Sequence, residues 1–118
     1  MKTVLVVEDD RDIRASIKEG LEMEGYDVIT AENGREGLRK IRQTPHPGLV
    51  LLDYLMPVMN GREFLDEVLK DNRISPIPVV IVSATVGKES TRGARQVLKK
   101  PVDLTVLLDV VAHYAVAS

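Results

Sequence analysis

The chain has no cysteine and no tryptophan, and only one phenylalanine and three tyrosines in 118 residues. Without cysteine there is no disulfide, no thiolate metal site and no cysteine nucleophile. With so few rings there is no aromatic platform for stacking single-stranded nucleic acid, and the core has to be aliphatic. An excess of one charge is missing too. The 16 Lys and Arg stand against 18 Asp and Glu, a net charge of -2, so nothing basic points to nucleic acid or an anionic membrane. No apolar run approaches the roughly 20 residues of a membrane span. Met1-Lys2-Thr3 runs straight into the strand-like Val4-Leu5-Val6-Val7, which leaves no room for a signal peptide. We therefore expect a cytoplasmic protein. The 44% hydrophobic and 29% charged content is that of a globular chain, and the length suits one domain, residues 1–118, with its own core.

Short aliphatic runs recur at Val4 to Val7, Val28 to Thr30, Leu49 to Leu52 and Val79 to Val82, with a weaker pair at Val97-Leu98. Continuous rather than alternating runs suit strands covered on both faces, as in a parallel sheet. Helical spacing lies between them. Ile13, Ile17 and Leu21 are one such set, Leu38 and Ile41 another, Phe64, Leu65, Val68 and Leu69 a third. Leu104, Leu107, Leu108, Val111 and Ala115 form a stripe expected to face the sheet. Asp10 is the expected cap of the first helix, and Asn60-Gly61 a turn that starts the third. Gly25, the stretch Thr44-Pro45-His46-Pro47-Gly48 and the segment Asn72 to Pro78 end the first three helices. The predicted order is βαβαβαβ, a weak segment, then βα. Strict alternation implies a single doubly wound α/β domain.

Such sheets carry their sites at the carboxyl ends of the strands. The first strand is followed by Glu8, Asp9 and Asp10, and the third by Asp53. The fourth is followed by Ser83, Ala84 and Thr85, and the fifth by Lys99, Lys100 and Pro101. Each has a plain reading when taken alone: acids favoured at a helix N-terminus, a turn acid, a small residue, a solvated lysine. Together they gather acids, a hydroxyl and a lysine on one edge, the chemistry of a hard divalent cation with a phosphoryl group. A carboxylate can also accept a phosphoryl group covalently. His46 between prolines and His113 near the C-terminus have no evident partner set, and Lys88, Arg92 and Arg95 read as a solvated face.

VVEDD at 6–10, DYLMPVMNG at 53–61, SAT at 83–85 and KP at 100–101 resemble the receiver domain of two-component response regulators, in that family's order and over essentially the whole chain. The resemblance implies a flavodoxin-like five-stranded parallel sheet in order 2-1-3-4-5, with helices on both faces. It implies a signalling module rather than an enzyme, one that takes a phosphoryl group from a sensor histidine kinase, a phosphotransfer protein or a small phosphodonor and then alters its binding to a downstream protein. It implies Asp53 as phosphoacceptor, and Mg²⁺ or Mn²⁺ held by Asp9, Asp53 and the backbone carbonyl of Leu55, with Glu8 acting through water. Ser83, the amide of Ala84 and Lys100 would contact the phosphoryl group, and the Lys100-Pro101 bond would be cis.

Departures from the family pattern concern the readout. Val97 stands where the family has a switching Tyr or Phe, and Val102-Asp103 where it is rich in Phe. Only Thr85 to Arg92 separates Ser83-Ala84 from Gly93-Ala94, too short for a full helix, so a loop or a single turn is expected, with Val86-Gly87 favouring disorder. Leu55, apolar, and Thr85 are poorly suited to orient a hydrolytic water, so slow self-dephosphorylation is expected. On the C-terminal helix, Leu104 to Ala117, the side opposite the apolar stripe carries Val106, Val110 and Val116. Two readings stand for that face: scattered surface valines, or docking of a partner or of a second copy, giving a homodimer. Four other functions compete. Met1 and the lack of a DNA-binding segment favour a stand-alone receiver over a module cut from a longer regulator or hybrid kinase. An aspartate-nucleophile phosphatase needs a second Asp where Leu55 stands. A flavodoxin-like cofactor binder needs a phosphate loop where the three acids stand. A degenerate scaffold would not be expected to retain Asp9, Asp53, Ser83 and Lys100.

Overall fold

Every strand of this chain is short and β-branched or leucine-rich, and among the described residues every connection between strands but one contains a helix. The computed structural model describes residues 2–84 and 91–115. Its elements are β1 (Thr3–Val7), α1 (Arg11–Met23), β2 (Asp27–Ala31), α2 (Gly34–Ile41), β3 (Leu49–Asp53), α3 (Gly61–Leu69), β4 (Val79–Ser83), β5 (Gln96–Lys99) and α4 (Leu104–Tyr114). The strands form one sheet in the order β2-β1-β3-β4-β5, all pairs parallel. This is the doubly wound α/β class read from the alternation, in the strand order the resemblance implied.

The continuous apolar runs split by parity into two cores, because neighbouring side chains on a strand point to opposite faces. Leu5, Val7, Val50, Leu52, Val79 and Ile81 pack with Leu38 and Ile41 of α2 and Phe64, Leu65 and Val68 of α3. Val4, Val6, Leu49, Leu51, Val80 and Val82 pack with Leu21 of α1 and Leu107 and Val111 of α4. Each core seals one face, and β1, β3 and β4 are buried between them.

Helix ends follow local chemistry. The Asp10 carboxylate accepts from the amides of Asp12 and Ile13 and caps α1. Asn60 and Glu63 form a reciprocal capping box at α3. At the other end of α2, His46 Nδ1 lies 3.0 Å from the carbonyl oxygen of Ile41 and 3.1 Å from that of Gln43, a partner set the spacing alone did not reveal. Gly37 is needed for layer contact, since a Cβ there would sit 2.8 Å from Val7 Cγ2.

The C-terminal helix departs from its expected pattern. Leu104, assigned to the sheet-facing stripe, is 46% exposed and lies over Gly20 of α1. Val110, assigned to the outer side, is half-buried against the α1–α4 core. Leu107, Leu108, Val111 and Ala115 face the core as expected, but the helix packs against α1 as well as the sheet, so the outer valine row reduces to Val106 among the described residues. Val116, and the expectations for Thr85 and Val86-Gly87, lie outside the described residues. Among those described, the β4–β5 connection holds no helix. It re-enters through a turn closed by Ala94 N donating to Thr91 O at 2.9 Å, with Gly93 at φ +97. β5 is the edge strand on the β4 side, with Gln96 and Lys99 exposed.

Candidate functional site

Four strand ends converge. β1 stops at Val7 and delivers Glu8, buried at 2% exposure, and Asp9, which is exposed. β3 ends on Asp53 itself, 7% exposed. Carboxylate oxygens of Glu8, Asp9 and Asp53 all lie within 4.8 Å of one another. Ser83, 1% exposed, closes β4. Register places Ser83 beside Lys99, and Lys100 N donates to Ser83 O at 2.8 Å. That bond ties the end of β5 to the end of β4. The cis Lys100–Pro101 peptide follows it.

From there the Lys100 ammonium reaches back across the sheet edge. It donates to Glu8 Oε1 at 2.6 Å and stands 3.4 Å from Asp53 Oδ1. Lys99, the neighbouring lysine, is exposed on the strand. The second oxygen of Glu8 accepts from Asp10 N at 3.1 Å. Glu8 is therefore held by a cation and an amide, whereas Asp9 is exposed while its carboxylate still lies within reach of Asp53.

Three carboxylates and one ammonium leave an excess of two negative charges if all ionise. Asp53 carries the consequence. Burial, then a shared proton with Asp9 and the charge of Glu8, push its carboxyl up to about 7 from 3.8, against the opposing pull of Lys100. For Lys100, burial works against its charge. The bond to Glu8 and the charges of Asp53 and Glu8 together outweigh that and raise it above its ordinary value. A set of carboxylate oxygens with a deficit of two positive charges fits a hard divalent cation in its donor chemistry and in its charge. Leu55, whose carbonyl is the fourth sequence-derived candidate, is 55% exposed just beyond Asp53. The turn bonds of its loop run instead from Gly61 N to Tyr54 O and from Met59 N to Pro57 O. Ala84 is exposed at the rim. It borders an apolar groove of about 530 Å³ between α1 and α4 that also includes Ile13, Ile17, Pro101 and Leu104.

Sequence reading missed two features here. Val58, in the loop after Asp53, holds φ at 69 and is 64% exposed, a left-handed position that a β-branched residue adopts only under constraint. Arg14 reaches back from α1 to the loop that carries Glu8 and Asp9. The one signal for it was an arginine in the opening turn of a helix, where the dipole disfavours a cation.

Comparison with known proteins places this geometry. The response regulator receiver domain family matches residues 4–112. Protein PilH of Pseudomonas aeruginosa is 38% identical over 114 residues, covering 92% of this chain and 93% of that protein. A transcriptional regulatory protein CpxR homolog of Haemophilus influenzae is 39% identical over 107 residues, covering 86% of this chain but only 44% of that longer protein. Among solved structures, response regulator protein TrrA from Thermotoga maritima, in complex with Mg²⁺-BeF, superposes with a TM-score of 0.85 at 32% identity, covering 97% of this chain and 99% of that one.

Proposed function

Because the chain belongs to the response regulator receiver domain family, we propose that it is a phosphorylatable receiver and that Asp53 is its phosphoacceptor. The observation that carries this is the Asp53 carboxylate, buried at the end of β3 with Lys100 3.4 Å away and two further acids beside it. The family is one of signalling modules. The finer reading is a single domain over 1–118, cytoplasmic, served by a sensor histidine kinase or a phosphotransfer protein, and switching its affinity for a downstream protein. Among the described residues no helix is long and apolar enough to cross a membrane.

In this reading Asp9, Asp53 and the Leu55 carbonyl would hold Mg²⁺ or Mn²⁺, with Glu8 in support. The cation would supply positive charge against the repulsion of the acids and toward the negative charge of an incoming phosphoryl group. Asp53 must be ionised to act, and a carboxyl poised near 7 gives up its proton readily once positive charge is added. Its oxygen forms the new bond to phosphorus while the phosphorus–nitrogen bond of a phosphohistidine donor breaks. The electron pair returns to the imidazole, which takes up a proton. Lys100, the Ser83 hydroxyl and the Ala84 amide hold the phosphoryl oxygens, so catalysis is positioning and electrostatics. The acyl phosphate then biases a conformational equilibrium.

The test is incubation with acetyl phosphate or phosphoramidate and Mg²⁺. Intact mass should rise by one phosphoryl group, and Asp53→Asn should abolish the gain. Label persisting in that variant refutes the assignment. A module of a longer regulator is the second reading, favoured by the partial coverage of the CpxR homolog. Its sign would be a phosphorylation-dependent contact with a further segment of the same chain.

A further inference from the structure

The loop that presents Glu8 and Asp9 is three residues long, between Val7 and Arg11. Most of it is fastened by its own neighbours. Glu8 N donates to Ala31 O at 3.0 Å, and the Glu8 carboxylate is held by Lys100 and by Asp10 N. Asp10 is fixed as the cap of α1. Asp9 differs: it is exposed, so packing does not hold it.

Besides the Asp10 amide bond to Glu8, one side chain grips the backbone on both sides of Asp9. Arg14 Nη1 donates to Glu8 O at 2.9 Å and to Asp9 O at 3.4 Å. Those two carbonyls belong to the two peptide planes that flank the Asp9 Cα. Peptide planes are rigid, so the only soft rotations between them are φ and ψ of Asp9. Anchoring both planes to one guanidinium restricts both angles and thereby the direction of the Asp9 side chain. Arg14 does this from the opening turn of α1, where the helix dipole disfavours a cation.

We propose that Arg14 is a positioning residue for the cation site, setting the backbone of Asp9 so that its carboxylate faces Asp53. The inference rests on the reading of Glu8, Asp9 and Asp53 as a divalent cation site. Support from behind a ligand is worth about 10-fold or more in metal affinity.

The experiment titrates metal-free protein with Mn²⁺ and follows the free-ion electron paramagnetic resonance signal, for wild type, Arg14→Ala, Arg14→Met and Arg11→Ala. Arg14→Met keeps the aliphatic stem and carries the comparison should the alanine variant fail to fold. Arg11 is an exposed arginine in the same helical turn, and among the described residues it makes no hydrogen bond to the loop. Both Arg14 variants should bind Mn²⁺ about 10-fold more weakly, and Arg11→Ala less than about twofold, as for an exposed charge. Metal-free melting of Arg14→Met should stay within about 2 °C of wild type. A merely structural role would lower that melting point and leave the affinity of the folded protein unchanged. Wild-type affinity in the Arg14 variants, or an equal loss in Arg11→Ala, overturns the proposal alone. Failure of wild type to bind Mn²⁺ overturns the cation site and the proposal with it.

Discussion

Replacing Asp53 by asparagine should stabilise the metal-free protein, and should do so more at high pH than at low. Asp53 titrates near 3.8 when unfolded and at about 7 in the fold, where burial and the neighbouring acids disfavour its charge. Between these values the folded state holds more protons than the unfolded one. Stability therefore falls as pH rises from about 4 and levels off above about 7. At 1.36 kcal/mol per pH unit the full penalty has a ceiling of roughly 4 kcal/mol. Water at the open sheet edge and movement of Lys100 reduce it to about 2 kcal/mol. Asparagine keeps the size and the polar contacts but cannot ionise. At pH 8 Asp53→Asn should thus gain about 2 kcal/mol, raising the melting temperature by roughly 8 °C for a domain of this size. At pH 5 only about two-fifths of the gain should remain. The assay is urea unfolding in chelator at several pH values between 5 and 8, read by far-ultraviolet circular dichroism. A gain that is independent of pH, or larger at pH 5, refutes the reasoning. Because the three acids share protons, the transition belongs to the cluster rather than to Asp53 alone.

Three further outcomes follow from single residues. Lys100→Ala should leave Mg²⁺ binding in place but strand Glu8 and Asp53 without their cation, lowering metal-free stability by about 2 kcal/mol at pH 8 and by less at pH 5; a larger defect from Lys99→Ala would mean the wrong lysine was chosen. Val58→Gly should relieve the left-handed backbone and gain about 1 kcal/mol net of glycine's own entropy, seen as a higher urea midpoint at unchanged slope; a loss would show that Val58 contributes packing its exposure conceals. The Asp71 carboxyl, bound by the side chain and backbone of Arg73, is held down at about 2. Its contribution to stability should persist until pH falls through that value, and carboxyl-detected NMR of Arg73→Ala should find it raised toward the ordinary range but still below it, since the backbone amide and Arg42 remain.

The two apolar faces of the sheet were legible because strand and helix periods act locally. Four aliphatic runs and four helical stripes needed no partner information to be placed, and their alternation implied a doubly wound parallel sheet, while the strand order came from the family resemblance. The acids after β1 and β3, the hydroxyl after β4 and the lysine after β5 followed from one rule about strand ends. Val110 and Leu104 were misassigned because an ideal helical stripe assumes one packing surface, whereas α4 meets both the sheet and α1. His46 was passed over because its partners, the last carbonyls of α2, become reachable only when the chain folds back through Thr44 and Pro45.

The sequence by itself determined which residues meet at the sheet edge, since alternation and strand-end position are short-range properties. Only the tertiary structure decided how their charges are shared. Lys100 sits closer to Glu8 than to Asp53 by 0.8 Å, the difference between 2.6 and 3.4 Å, and Arg14 rather than packing holds the Asp9 backbone. Those choices depend on distances across the sheet and on how much water reaches each carboxylate, and electrostatic energy varies steeply with both.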